Sequence, residues 1–266
     1  MNEPVRILSD LHLGHKISRI EQIHVLRPLI AGAGTVVFNG DTWQELAAPF
    51  RARSTVMLDE LQKLCAEEGA EAIFLPGNHD PGWPGPGWLE LGEGKIVITH
   101  GDTLLRDGSP WKREILVNGP SVQGLWDGFP TAAYDAATRH IVARAVAREH
   151  CSVEYPTGRH FFQRAWDAVQ PPQRALKMLD AWFTQAATGS AFCETYFPEA
   201  EFLIIGHFHH AGCWENNGRR IINTGSFAAP GWAYWVEWDQ GFLSWGKIHE
   251  SATVYTKASA YDVWRL

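Results

Sequence analysis

Five short apolar runs recur along the chain, and each stops abruptly in a polar cluster: "VRIL" before "SDLHLG", then "TVVFNGD", "AIFLPGNHD", "KIVITHGD" and "EFLIIGHFHH". Short continuous apolar runs bounded by turn residues predict buried strands. Helical spacing lies between them. One stretch runs from about Ile20 to Ile30; another spans Ser54 to Glu68, where Val56, Leu58, Leu61, Leu64 and Cys65 share a face and Gly69 marks the stop. Strands alternating with helices predict an α/β fold with a largely buried sheet. Towards the C-terminus, "RRIINTGS", "AYWVEW" and "GFLSWGKI" are β-rich runs separated by turn residues, and they predict a meander completing a second sheet.

The stretch from about Leu105 to Ala200 is different, with mostly helical spacing. Within Tyr134 to His150, residues Ile141, Val142, Ala145 and Val146 form an apolar stripe, and Arg144 and Arg148 occupy another face. After Pro171-Pro172, Leu176, Leu179, Trp182 and Phe183 share a face. The segment is expected to be a helical cap inserted, over about 105–200, into a single domain covering 1–266.

Composition narrows the function classes. Hydrophobic residues make up 45% and charged residues 20%, a globular balance. The formal net charge of −7 disfavours general nucleic-acid binding. The insertion runs against that trend, with ten Lys or Arg against eight Asp or Glu between Arg106 and Ser190. The cysteines Cys65, Cys151, Cys193 and Cys213 are scattered, which fits buried free thiols better than a disulfide framework or a thiolate metal site. The opening "MNEPVRILSD" lacks a secretory pattern and no apolar run is long enough to span a bilayer, so a cytoplasmic protein is expected. Peripheral membrane contact stays open, and nothing indicates the oligomeric state.

The polar clusters carry the candidate chemistry. They supply Asp10, His12, Asp41, Asn78, His79, Asp80, His100, His207 and His209. Ligand sites in α/β sheets form beyond the carboxyl ends of the strands, so five such clusters are expected to converge. A set of imidazole nitrogens, carboxylate oxygens and one amide oxygen, without thiolate, suits Mn, Fe or Zn. Asp10 and His12 are two apart, as are His207 and His209; an extended chain would point each pair at one ion. Singly, "GD" is usually a turn and "HxH" a pair of surface or core histidines. Five in order at strand ends make unrelated loop tips the poorer account.

The ordered set D-x-H, GD, GNHD, H and GHxH resembles the calcineurin-like metallophosphoesterase superfamily, over nearly the whole chain outside the insertion. The resemblance implies a two-sheet β-sandwich flanked by helices. It also implies two divalent ions, Mn foremost, and hydrolysis of a phosphoester or pyrophosphate bond by water activated between them. The substrate would be a small or amphiphilic phosphorylated molecule. By the same resemblance Asp10, His12 and His209 hold one metal, Asn78, His100 and His207 hold the other, and Asp41 bridges. His79 faces the substrate at the leaving oxygen. Some relatives carry an acid three positions after the bridging aspartate, where it orients the histidine; here the position is Gln44, with Glu45 next and Asp80 as a third candidate partner. "NTGSF", from Asn223 to Phe227, is similar to the turn that follows the last motif in many relatives.

"SDLHLG" with a helical insertion also looks like the UDP-2,3-diacylglucosamine pyrophosphatase branch. On that alternative Arg144 and Arg148 are candidates for substrate binding, and Trp126, Trp166 and Trp182 for lining a pocket. A serine/threonine phosphoprotein phosphatase is a further alternative. A non-enzymatic scaffold is disfavoured, because every ligand position is filled. The histidines outside the motifs (His15, His24, His140, His150, His160, His210 and His249) are expected to be structural or solvated, with His210 the foremost exception.

Overall fold

All five apolar runs are strands in the computed structural model, which describes residues 1–109, 115–150, 172–251 and 253–266. They are β1 (Val5–Leu8), β2 (Thr35–Asn39), β3 (Glu71–Leu75), β5 (Ile96–Thr99) and β6 (Phe202–Ile205), with β4 (Trp88–Leu91) between β3 and β5. The remaining strands are β7 (Gly212–Asn216), β8 (Arg219–Asn223), β9 (Tyr234–Asp239), β10 (Phe242–Glu250) and β11 (Tyr255–Arg265). Two mixed sheets result, of order β11-β10-β9-β1-β2-β3 and β4-β5-β6-β8-β7. Parallel pairing of β1 with β2 and β2 with β3 in one sheet, and of β5 with β6 and β6 with β8 in the other, turns the motif-bearing strand ends the same way within each sheet.

The sheets pack face to face on Ile7, Val37, Ile98, Ile204, Ile222 and Val236. The C-terminal meander divides between them, which corrects the expectation that it completes the second sheet. Only β8 joins that sheet, with β7; β9, β10 and β11 extend the first, where Val5 of β1 lies opposite Trp238 of antiparallel β9. Alternation along β9 then sorts its side chains between the two faces of that sheet. Val236 and Trp238 enter the core between the sheets, while Trp235 turns to the helices on the far side.

Helices cover both outer faces. On the first sheet, α2 (Ala48–Glu67) contributes Leu61 and Leu64, and α1 (Arg27–Ile30) contributes Leu29 and Ile30. The expected helix over Ile20 to Ile30 is a 3₁₀ turn, Ile23–Leu26, followed by the single turn of α1. Pro28 in that first turn has no N–H to bond backwards, so the two turns do not merge.

The insertion forms α3 (Ile115–Gly128), α4 (Ala136–Glu149) and α5 (Pro172–Tyr196) among the described residues. Asp135 caps α4 by accepting from the Thr138 N–H at 2.8 Å. Val122, Trp126, Ala132, Val142 and Val146 form a satellite core, but Ile141 of the expected stripe points to solvent. Late in α5, Phe192 and Cys193 pack on Leu203 and Ile221, so this end of the insertion is the outer layer of the second sheet. Leu176 and Phe183, of the shared apolar face in the first half of the helix, are exposed. Cys65 and Cys193 are buried free thiols and Cys213 is half-buried; Cys151, His160 and Trp166 lie outside the described residues. No described helix is long and apolar enough to cross a membrane.

Candidate metal centre

The strand ends meet where the two sheets are tied together. Asn39 closes β2, and its Nδ2 donates to the carbonyl of Thr99 at the end of β5, 2.9 Å away. His100 follows Thr99 and donates from Nδ1 to the Asn39 carbonyl at 2.9 Å. That bond leaves Nε2 of His100 directed at Asp41 Oδ1, 3.4 Å distant. Asn39 and Thr99 are fully buried polar residues at the ends of apolar runs, and this was their signal in the sequence.

The motif segments are not extended, which corrects the expectation drawn from i, i+2 spacing. Asp10, His12, Asp41, His207 and His209 have φ of 53°, 47°, 49°, 69° and 52°. The left-handed region costs non-glycine residues roughly 1–3 kcal/mol and is held only where the surroundings impose it. Tight turns immediately after the strands therefore bring each pair of ligand candidates together.

Three overlapping groups of possible ligand atoms result: Asp10, His12 and His209; His12, Asp41 and His79; and Asp41, His100 and His207. His12 Nε2 is 3.1 Å from His209 Nε2 and 3.8 Å from both Asp10 Oδ1 and Asp41 Oδ2. Asn78 adds an amide at the same cleft. Asn78 Oδ1 is buried without a hydrogen bond, while Asp10 Oδ1 has His209 Nε2 at 3.1 Å and His100 Nε2 has Asp41 Oδ1 at 3.4 Å. The His207 Nε2–H donates to the Gly108 carbonyl at 2.9 Å, which puts the ring lone pair on Nδ1.

The electrostatics suit a cation. Burial pushes His12 down to about 4 and His207 down to about 3, so both rings are neutral and offer lone pairs. Burial works against ionisation of Asp10 and Asp41, but the histidines around them outweigh it; both carboxyls are lowered, Asp41 well below its ordinary value. Burial likewise opposes protonation of His100, and here Asp41 and Asp10 prevail and raise it well above the usual imidazole range. The residues fit divalent cations, hard oxygen donors mixed with imidazole.

A second layer, only part of it foreseen, holds these groups. Ser9 Oγ donates to Asp10 Oδ2 at 2.6 Å, and the His207 N–H donates to the same oxygen at 3.0 Å. Thr224 and Ser226 of the "NTGSF" turn back this loop: Thr224 Oγ1 lies 2.6 Å from Ser9 Oγ, and Ser226 Oγ donates to the Asp10 carbonyl at 3.2 Å. A Cβ on Gly206 would overlap Asp10 Oδ2 and Ser9 Oγ, which accounts for glycine ahead of the last histidine pair.

The three candidate partners of His79 separate cleanly. Asp80 accepts from the N–H groups of Asp41 at 2.9 Å, Thr42 at 2.9 Å and Gly77 at 3.0 Å, so it organises two motif loops. Glu45 accepts from the Gly82 N–H at 2.6 Å. Gln44 is the partner: its Oε1 accepts from His79 Nδ1 at 2.9 Å. Arg144 donates to the carbonyls of Trp83 and Gly85, both at 2.7 Å, and Arg148 to that of Pro81 at 3.4 Å. These arginines brace the loop after the third motif and do not line the cleft, contrary to the substrate-binding expectation.

The cleft, about 730 Å³, is lined by His12, Asp41, Asn78, His79, His207 and His209, with Trp182, Phe208, Trp232 and Tyr234 as its aromatic part. Trp182 donates from Nε1 to the Phe208 carbonyl at 2.7 Å and stacks on His210, which also lines the cleft. Trp126 does not line it; the guanidinium groups of Arg106 and Arg139 lie over its ring, 5.3 Å and 4.4 Å from the centroid.

Two mixed sheets flanked by helices, with all five motif loops gathered at their joined strand ends, decide the architecture. The fold is a two-sheet α/β sandwich flanked by helices. No protein-family model and no curated protein matches the chain. Among solved structures, a dimetal phosphatase from Danio rerio is 13% identical, covering 97% of this chain and 100% of that one, at a TM-score of 0.48. A Vps29 single mutant from Entamoeba histolytica is 12% identical over 97% of this chain and 99% of that one, also at 0.48. A predicted phosphoesterase from Streptococcus pneumoniae is 17% identical, with coverage of 97% and 99% and a TM-score of 0.39.

Proposed function

We propose that the chain hydrolyses phosphoester or pyrophosphate bonds with the help of two divalent cations. The observation that carries the reading is three ligand groups that overlap at His12 and Asp41, with the buried Asn78 Oδ1 beside them lacking a hydrogen bond. An unsatisfied buried group costs about 1–3 kcal/mol, and ligation would account for this one. In this reading Asp10, His12 and His209 hold one ion and Asn78, His100 and His207 the other. Asp41 serves both, its Oδ2 on the His12 side and its Oδ1 on the His100 side. The ligand set suits Mn, Fe or Zn, and we put Mn first among them.

A bound pair of such ions acidifies water and neutralises phosphoryl charge. The remaining work falls to the protein. His79 is partly exposed at the cleft, its Nδ1 occupied by Gln44, and it presents Nε2 to the leaving oxygen of the substrate. The aromatic part of the cleft supports a small phosphorylated molecule with an apolar or flat portion. A filled ligand set argues against a non-catalytic scaffold.

The test is metal analysis of purified protein with a Mn²⁺ hydrolysis screen across phosphomonoesters, diesters, nucleoside diphosphate sugars and phosphopeptides. Two equivalents of metal and chelator-sensitive turnover of one class are expected. Protein that binds no divalent ion and turns over nothing would sink the reading.

A further inference from the structure

We infer that Gln44 is a positioning residue that hands the ring tautomer of His12 on to His79; the inference rests on the dimetal reading above. The Gln44 side chain is buried, and its backbone N–H is fixed by Ser54 Oγ at 2.8 Å. Its terminal amide sits between two imidazoles whose centroids are 4.9 Å apart. Oε1 accepts from His79 Nδ1 at 2.9 Å, and Nε2 donates to His12 Nδ1 at 3.2 Å.

In that orientation His12 Nδ1 is an acceptor, so a neutral His12 carries its proton on Nε2. Yet Nε2 is the atom that faces His209, Asp10 and Asp41. A ligating nitrogen must offer its lone pair, and the other ring N–H then needs an acceptor beside it. Half a turn of the Gln44 amide meets both demands. Oε1 then accepts from the His12 Nδ1–H, and the Nε2–H donates to His79 Nδ1. The two ends of an amide are nearly equal in size, so packing is unchanged.

The consequence falls on His79. With Nδ1 accepting, a neutral His79 carries its proton on Nε2, the atom 3.8 Å from Asp41 Oδ2 and turned to the site. The ring is thereby a hydrogen-bond donor to a leaving oxygen without taking up a second proton. A carboxylate at position 44 has no donor. It would accept from Nδ1–H of both rings, so that His79 could donate from Nε2 only by taking up a second proton, as in relatives with an acid there.

The experiment uses the full chain with ¹⁵N-labelled histidine, loaded with Zn²⁺, and long-range ¹H–¹⁵N correlation spectra. His79 is expected to show a pyridine-like Nδ1 and a pyrrole-like Nε2. Gln44→Glu should reverse them with zinc content unchanged. It should also slow an alkyl phosphate by roughly 10²-fold, the scale of a positioned proton donor, and an activated aryl phosphate far less. Gln44→Met, which keeps size but removes both bonds, should show mixed His79 tautomers. A zinc-loaded wild type with a pyrrole-like His79 Nδ1 overturns the relay and leaves the dimetal reading standing. Equal losses on both substrates in the two variants overturn it as well. Failure of the wild type to take up zinc overturns both. Should Gln44→Glu not fold, the wild-type and Gln44→Met spectra still decide.

Discussion

Asn39 and His100 hold each other's segments in place: His100 Nδ1 donates to the Asn39 carbonyl at 2.9 Å, and the Asn39 amide donates to the carbonyl of Thr99, just before His100, at 2.9 Å. One residue of the first sheet thus orients a ligand candidate on the second. Asn39→Ala should lower stability by about 1–3 kcal/mol, since the buried Thr99 carbonyl loses this donor. It should also weaken binding of the ion assigned to His100 more than that of its neighbour. Denaturant unfolding and metal titration check the two effects; a loss of stability with both affinities unchanged would separate the tie from the site.

Asp41 belongs to two of the three ligand groups and lies within 3.8 Å of His12, so Asp41→Asn is expected to reduce metal content and collapse turnover together. The amide keeps the shape but offers one oxygen where the carboxylate offers two. Metal analysis beside an assay decides; near-normal turnover with two ions retained contradicts the bridging role.

His79 should behave differently. His79→Asn is expected to keep two ions and slow turnover by roughly 10²–10⁴, the usual contribution of a positioned general acid. The loss should grow with leaving-group pKa, being smallest for activated aryl oxides. A rate series across leaving groups tests this, and either an equal loss throughout or a missing ion removes His79 from the role.

Gly206→Ala probes packing at the centre. The added methyl would overlap Asp10 Oδ2 and Ser9 Oγ in a fully buried loop. Overpacking of this kind costs about 1–3 kcal/mol, and the loop can yield only by moving Asp10. Reduced metal affinity with a lowered melting temperature is expected; unchanged affinity would mean that Asp10 is less confined than its contacts imply.

Glu237 gives a pH-dependent prediction away from the centre. It accepts from Arg6 Nε at 2.7 Å and from Lys257 Nζ at 2.7 Å. Burial raises its pKa, but Lys257 and Arg6 outweigh it and hold the carboxyl below its ordinary 4.5. A depressed carboxylate stabilises fully above the unfolded value, and that stability is lost as pH falls through the folded one. Glu237→Gln should therefore be less stable by about 1–3 kcal/mol near neutrality, and the difference should shrink below pH about 4.5. A difference that stays constant down to pH 3 contradicts the ion pair as its source.

The strands and the polar residues at their ends were legible in the chain because both are local. Apolar runs such as "TVVFN" and "FLII" announce burial, and the polar residues that follow them mark the strand ends where ligands gather. Other features depended on what packs against what. Alternation along "AYWVEW" could not say which sheet β9 joins, because that rests on Val5 lying opposite Trp238 across the molecule. Ile141, Leu176 and Phe183 sit at helical spacing yet face solvent, since amphipathic periodicity does not name a partner. The left-handed backbone at Asp10 and His12 was hidden too, because non-glycine residues adopt it only under tertiary constraint. The same holds for His79. Asp80 adjoins His79 in sequence and Gln44 lies 35 residues away, and only the folded loops turn the Gln44 amide to the ring while Asp80 is taken up by backbone N–H groups.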